Sequence, residues 1–491
     1  MTIKEIVSKQ NQWNRMKSQF VLSRILIYFA LMFAICSYKI TSLNAESAPR
    51  KTFEEIKEEI AGYSEIAQQI INYTVYGIQQ NRSYDRLALF VDTIGNRFSG
   101  SKNLEKAIQY MLKALSEDKQ ENVHLEPAKI PHWVRGEESA MMLEPKNYKI
   151  AILGLGSSIG TSPEGITAEV LVVNSFEELR SRANEAEGKI VVYNQPFISY
   201  GETVSYRFDG ASEAAKVGAK ASLIRSITPF SLYSPHTGWQ GYQDNVTQIP
   251  TACITIEDAE MLRRMSDRGS KVVINLKMGA KTYPDVDSFN TVAEIIGSKH
   301  PEQVVLVSGH LDSWDVGSGA MDDGAGAFVS WEVLSIIRDL RLRPKRTIRL
   351  VLWTAEEPGG VGASQYYESH KADLPNFNLV MESDSGTFTP FGLRFTGTNQ
   401  SRAIMKEIMK LLQPINATAL YENGGGTDID YWINAGVPGA ALLVDTSKYF
   451  WFHHTDADTM TVQDPVQMKL CAAVWTVVSY VVADMDEILP R

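Results

Sequence analysis

Two histidine sites and a run of carboxylates stand where an α/β protein keeps its chemistry. The strand-like stretch QVVLVSG is followed by His310-Leu-Asp312, TIRLVLWTA by Glu356-Glu357, and NLVMES by Asp384. Between the first two lies GAMDDGAGA, with Asp322-Asp323 just ahead of a helical pattern. After GAALLV comes His453-His454-Thr-Asp-Ala-Asp458-Thr. In open α/β sheets functional side chains collect at the C-terminal ends of strands. Carboxylates crowded there repel and raise one another's pKa, and a divalent cation resolves the conflict. Zinc accepts imidazole and carboxylate, and two zinc ions sharing one carboxylate need about five protein ligands and an open position for water. His310, Asp322, Glu357, Asp384 and His454 supply that set. Glu356 is then left beside Glu357 as a base for the water. Asp312, two residues from His310 on an extended segment, is placed to orient its imidazole. Any one of these residues alone reads as a turn residue or a satisfied core polar group; together, at successive strand ends, they read as a metal site.

The elements around them follow an α/β pattern. From Val292 onward the strand candidates TVAEIIG, QVVLVSG, TIRLVLWT, NLVMESD and GAALLV are near-continuous apolar runs. Such runs suit a parallel sheet covered on both faces. The helix candidates AFVSWEVLSIIRDL, SRAIMKEIMKLL and VQMKLCAAVWTVVSYVVADM alternate with them. Residues 51–120 read mainly helical, with apolar spacing over Phe53–Ile78 and Leu104–Leu115. Residues 148–275 form a second α/β block of short β-branched runs and helical patterns, poor in candidate metal ligands.

Composition bounds the rest. The chain has 491 residues, 44% hydrophobic and 22% charged, which excludes disorder and low-complexity classes. With 48 Lys+Arg against 58 Asp+Glu, the charge of −10 argues against non-specific nucleic-acid or anionic-membrane binding. Three Cys exclude a disulfide scaffold and a thiolate zinc cluster. Residues 25–38, ILIYFALMFAICSY, are too short to span a membrane and fit a secretory leader behind a basic segment, so residues 1–45 read as a signal peptide or an uncleaved signal anchor. Sequons at Asn72, Asn81, Asn245, Asn399 and Asn416 fit glycosylation in that pathway. Cys253 and Cys471 remain after the leader, as a pair or as buried thiols.

In combination, H-x-D, D-D-G, E-E-P, a lone D after a strand and H-T-x-x-D-T resemble the secreted co-catalytic zinc aminopeptidase and carboxypeptidase family, over nearly the whole chain after the leader. The resemblance implies a mixed, mainly parallel sheet flanked by helices. It places an N-terminal helical part at 46–147, an inserted α/β protease-associated domain at 148–280 and the zinc peptidase domain at 281–491. It makes Asp322 the bridging carboxylate between two zinc ions per subunit. His310 and Asp384 complete one site, Glu357 and His454 the other, and Glu356 is the general base. It implies a cis peptide at Asp322-Asp323. Some relatives carry Tyr before the last His ligand to stabilise the oxyanion; this chain has His453 there. The loop NGGGTDIDYW offers Asp428 and Tyr431 as substrate contacts. The implied substrates are short peptides, especially dipeptides with free termini, and the implied assembly is a homodimer. The implied locations are secreted, lysosome, ER and Golgi.

Three rivals stand beside this reading. An aminopeptidase of the same fold would use identical metals. A non-catalytic receptor-like binding protein would lack a ligand or the base, yet every position is filled. Gly156-Ser-Ser158-Ile-Gly160 matches a serine-hydrolase motif, but a nucleophile elbow needs a helix immediately afterwards and TSPEG follows.

Overall fold

A computed structural model describes residues 51–491. The leader at 1–45 therefore lies outside the described residues. The metal-ligand candidates all sit on one eight-stranded sheet or the loops leaving it. Its order is Glu121–Val134, Lys281–Ile295, Arg346–Trp353, His300–His310, Phe377–Glu382, Gly439–Val444, Pro390–Thr396 and Ala419–Tyr421. The four strands from Arg346–Trp353 to Gly439–Val444 run parallel, and antiparallel pairs flank them. Their register matters for function. His310 pairs with Trp353, Ser308 with Glu382, and Glu382 with Ala441, so the four strands stop at one level. Whatever follows each strand converges at that edge.

Both faces of the sheet are covered, as the apolar strands require. On one face lie helices Ala325–Asp339 and Pro465–Asp484, buried over 325–337 and most of 468–483. The second is long and apolar enough to cross a membrane, but here it packs in the core. The N-terminal helices join the same core. Lys102–Glu117 buries Leu104, Ala107, Ile108, Met111 and Leu115, and Ser101 caps it by accepting from Leu104 N at 3.1 Å. The other face carries an aromatic cluster around Trp353, Tyr366 and Trp432.

Helix Ala325–Asp339 lies tight against the Asp384 loop. A Cβ on Gly326 would fall 1.7 Å from the Ser383 carbonyl oxygen. Helix propensity favours Gly→Ala by about 1 kcal/mol. Here the clash with backbone is expected to win, and Gly326→Ala should destabilise by about 1–3 kcal/mol. Thermal unfolding checks this; an unchanged or higher midpoint would refute the close approach.

A second eight-stranded sheet belongs to the same compact unit, Phe53–Arg491. Its order is Tyr148–Ile150, Glu138–Glu144, Val273–Met278, Ile166–Val173, Ile190–Tyr193, Ala221–Arg225, Thr251–Ile254 and Ile152–Gly154. It begins ten residues before the expected boundary at 148, because Glu138–Glu144 pairs with Val273–Met278. Helices cover it, with separate apolar clusters on its faces. The two sheets meet at an aromatic box of Phe98, Trp133, Trp239 and Trp314. Arg135, buried at this junction, pairs with Asp315 at 2.5 Å and donates to the Gly154 carbonyl.

Ser158 lies in this junction too, fully buried. Its hydroxyl donates to Ile159 O at 2.9 Å and accepts from Thr251 N at 2.9 Å. It is a turn residue, with no histidine partner among the described residues and no helix directly after it. Cys253 and Cys471 are separate buried thiols, the first in the second sheet and the second on helix Pro465–Asp484.

Candidate metal centre

Asp322 lies at the middle of the converging strand ends. Its Oδ1 is 3.2 Å from His310 Nε2, and its Oδ2 is 3.2 Å from His454 Nε2. Beyond His310 stand Asp384 Oδ1 at 3.6 Å and Glu356 Oε2 at 3.8 Å. Beyond His454 stands Glu357 Oε2 at 3.1 Å. The five expected ligands thus come together as two groups sharing Asp322. The peptide between Asp322 and Asp323 is cis, as the resemblance implies.

Each imidazole is oriented from behind by a backbone carbonyl. His310 Nδ1 meets Asp312 O at 3.0 Å, and His454 Nδ1 meets Thr237 O at 3.1 Å. A carbonyl only accepts, so each Nδ1 carries the proton and each Nε2 turns its lone pair toward carboxylate oxygens. A lone pair facing a carboxylate is repulsive unless a positive charge sits between. In the protein alone a second proton on each ring meets this need. Burial would lower His310, but Asp312, Asp322 and Asp384 outweigh it and hold it well above the usual range. Burial likewise opposes the proton on His454, and Glu357 and Asp322 hold it there.

The carboxylates tell the same story. Buried oxygens of Asp322 (Oδ2), Glu357 (Oε1) and Asp384 (Oδ1) have no hydrogen-bond donor. Burial and the neighbouring Asp322 charge push Glu357 up to about 7. Burial, with Asp384, Glu357 and Asp312 adding repulsion, drives Glu356 well above the carboxylate range. Only Asp322 falls well below it, because His310 and His454 overcome its burial. This donor set fits a cation on each side of Asp322.

The supporting shell is largely backbone chemistry. Asp458 accepts from Met321 N at 2.7 Å and Asp322 N at 3.1 Å, fixing the loop that presents Asp322. Asp323 accepts from His310 N at 3.1 Å and Gly326 N at 3.1 Å. Arg97, fully buried, donates to the carbonyls of Leu311, Ser318 and Gly319 and so ties both ligand loops together. Sequence reasoning missed Arg97 and Thr237. Both act on or through main-chain atoms, which leave no motif.

Four further candidates have definite places. Asp312 meets the His310 imidazole through its own carbonyl, with its Oδ1 3.7 Å from His310 Nδ1. The carboxylate instead accepts from Glu356 N at 2.9 Å and Glu357 N at 3.2 Å, so it positions the base and a ligand. Asp428, offered as a substrate contact, is fully buried, with its N–H donating to Glu382 at 3.2 Å. Tyr431 stacks on Tyr367 at 5.6 Å and joins the aromatic cluster of Trp432. His453 lies in the cluster itself. Its ring stacks on His454 at 3.5 Å, and its Nε2 is 3.5 Å from Asp322 Oδ2. Glu356 and Asp384 keep 12% and 21% of their side-chain surface exposed, more than the other members, so the cluster opens on their side.

A parallel-centred sheet with shared carboxylates and imidazoles at its strand ends is the layout of a metal-dependent hydrolase. A family model described as peptidase family M28 matches residues 290–479. Relatives named carboxypeptidase Q from Pongo abelii and Homo sapiens are each 70% identical over 460 residues, covering 94% of this chain and 97% of theirs. A crystal structure described as a peptidase M28 precursor from Shewanella amazonensis SB2B is 31% identical, with a TM-score of 0.84 over 88% of this chain and 99% of that one. The chain belongs to peptidase family M28 and is a metallopeptidase.

Proposed function

We propose that this chain is a di-zinc exopeptidase that hydrolyses short peptides, above all dipeptides with free termini, as a carboxypeptidase or dipeptidase. The observation that carries this reading is Asp322, with one imidazole lone pair facing each of its oxygens. His310, Asp322 and Asp384 would hold one zinc; Asp322, Glu357 and His454 would hold the other. Zinc bound there supplies polarisation of the scissile carbonyl and lowers the pKa of water. Glu356 takes the proton of the attacking water on its carboxylate and returns it to the leaving amine. Its residual exposure and its place beside His310 support that role. Asp312 holds Glu356 in place through the Glu356 N–H. The fully or nearly fully buried walls of the cluster exclude bulk water, which strengthens each electrostatic contact.

Blocked dipeptides test the polarity. A free dipeptide is expected to be cleaved and its C-terminally amidated form to resist. Cleavage of the amidated form with resistance of the N-acetylated form would instead establish the aminopeptidase alternative, whose metal ligands are the same.

The second sheet and its helices correspond in this reading to the inserted protease-associated domain, with the zinc peptidase domain resuming at 281. The five sequon asparagines are all exposed, which supports a glycosylated protein of the secretory pathway, secreted or retained in lysosome, ER or Golgi. The reading includes a homodimer; a fully active monomer by light scattering would contradict it.

A further inference from the structure

The second-sheet module contributes no expected ligand, yet its loop grips the last one. Thr237 O accepts from His454 Nδ1 at 3.1 Å, and Thr237 N donates to His454 O at 3.0 Å. Two more anchors run the same way. His236 Nδ1 meets His453 O at 2.7 Å, and Thr228 Oγ1 donates to Phe450 O at 2.6 Å. The segment carrying His454 is therefore held along its backbone by the module.

The Thr237 carbonyl has a second partner. Arg207, on helix Ser205–Lys216 of the module, donates to it from Nη1 at 3.4 Å and to the Tyr200 hydroxyl from Nη2 at 2.7 Å. Arg207 is only 7% exposed. Among the described residues no carboxylate pairs with it; its named acceptors are a carbonyl and a phenol. Burying a cation against neutral acceptors is costly and needs close packing to persist. Gly238 provides the close approach. Its φ is +155°, and a Cβ there would lie 2.3 Å from the guanidinium carbon. The guanidinium thus lies close to the 238 backbone, next to the peptide whose carbonyl faces His454. Tyr200, in turn, packs edge-on against His453 at 5.3 Å and stacks on Phe450 at 5.0 Å.

We propose that Arg207 is a positioning residue for His454: by pinning the Thr237 carbonyl it sets the tautomer and direction of the imidazole, so that the inserted module governs cation affinity in the His454–Glu357 half of the site. This rests on the two-cation reading above. With two donors on the Thr237 carbonyl, its direction is held, and His454 Nε2 stays aimed between Asp322 and Glu357. Partners of this kind behind a ligand typically change metal affinity by about 10- to 100-fold when removed. The half built on His310 and Asp384 is oriented by Asp312 O instead.

The test is zinc content of the full chain across a series of chelator-buffered free-zinc concentrations. Wild type should show two ions in two steps. Arg207→Gln should weaken one step by about 10- to 100-fold and leave the other in place. Arg207→Lys, which keeps a donor and the charge, should recover part of the loss. Gly238→Ala, which displaces the guanidinium, should weaken the same step, and it carries the comparison should Arg207→Gln not fold. Both steps at wild-type affinity in the variants would overturn the proposal, whatever their turnover. So would an equal loss of both steps, which reports general loosening. A wild type that binds fewer than two ions would strike the two-cation reading itself, separately from the role of Arg207.

Discussion

Glu356→Gln is expected to slow peptide hydrolysis by about 10²- to 10⁴-fold while the protein stays folded and keeps its metal. The amide matches the carboxylate in shape, and the backbone N–H of residue 356 still reaches Asp312. What is lost is a group that can take a proton. Glu356 is the partly exposed carboxylate beside His310 that the ligand set leaves over, so its neutral substitute removes proton transfer and little else. The loss should fall on kcat more than on KM, because proton transfer occurs in the transition state. Stability gives a second signature. Burial and the charges of Asp384, Glu357 and Asp312 already disfavour the ionised form of Glu356. A neutral side chain relieves that repulsion, so the metal-free variant should unfold at or above the wild-type temperature. Steady-state kinetics with elemental analysis of the same sample checks both parts. Near-normal turnover in a metal-loaded variant would remove Glu356 from the role of base.

The site was legible because its residues follow apolar runs. QVVLVSG, TIRLVLWT and NLVMES are buried strands as their composition implies, and their parallel register brings His310, Glu357 and Asp384 to one edge. Less legible was anything working through main-chain atoms. The reach of Asp312 was seen, but sequence cannot say whether its carbonyl or its carboxylate faces His310. Nothing in the module's sequence signals Thr237, since any residue offers a carbonyl; only the fold brings it to His454. The Gly-rich setting of Asp428 carries no sign of how deep its side chain lies. Asp428 is buried, and a Cβ on Gly426 would lie 2.0 Å from Glu382. Strand Glu121–Val134 gave no signal because it mixes two prolines with irregular burial, and it falls inside the part at 46–147 that the resemblance made helical.

On the proposed two-zinc reading, Asp322→Ala should lower zinc content from two ions toward none and abolish turnover, a larger loss than any other single ligand change. The reason is geometric. Asp384 stands 3.6 Å from His310 and Glu357 stands 3.1 Å from His454, each on its own side, whereas Asp322 presents one oxygen to each ring. Removing a one-sided ligand leaves the other group complete. Removing Asp322 takes a donor from both at once and also strips the negative charge that offsets two cations in close proximity. The affinity loss should therefore exceed the about 10- to 100-fold typical of supporting residues. Asp384→Asn supplies the control, since it should weaken one ion and spare the other. A fold effect can be separated from a metal effect, because Asp458 binds the N–H groups of Met321 and residue 322, which the substitution retains. Elemental analysis and circular dichroism on the three proteins decide the matter. If Asp322→Ala keeps two zinc ions, or if Asp384→Asn loses both while Asp322→Ala loses one, Asp322 is not the shared ligand and the two halves of the site must be assigned anew.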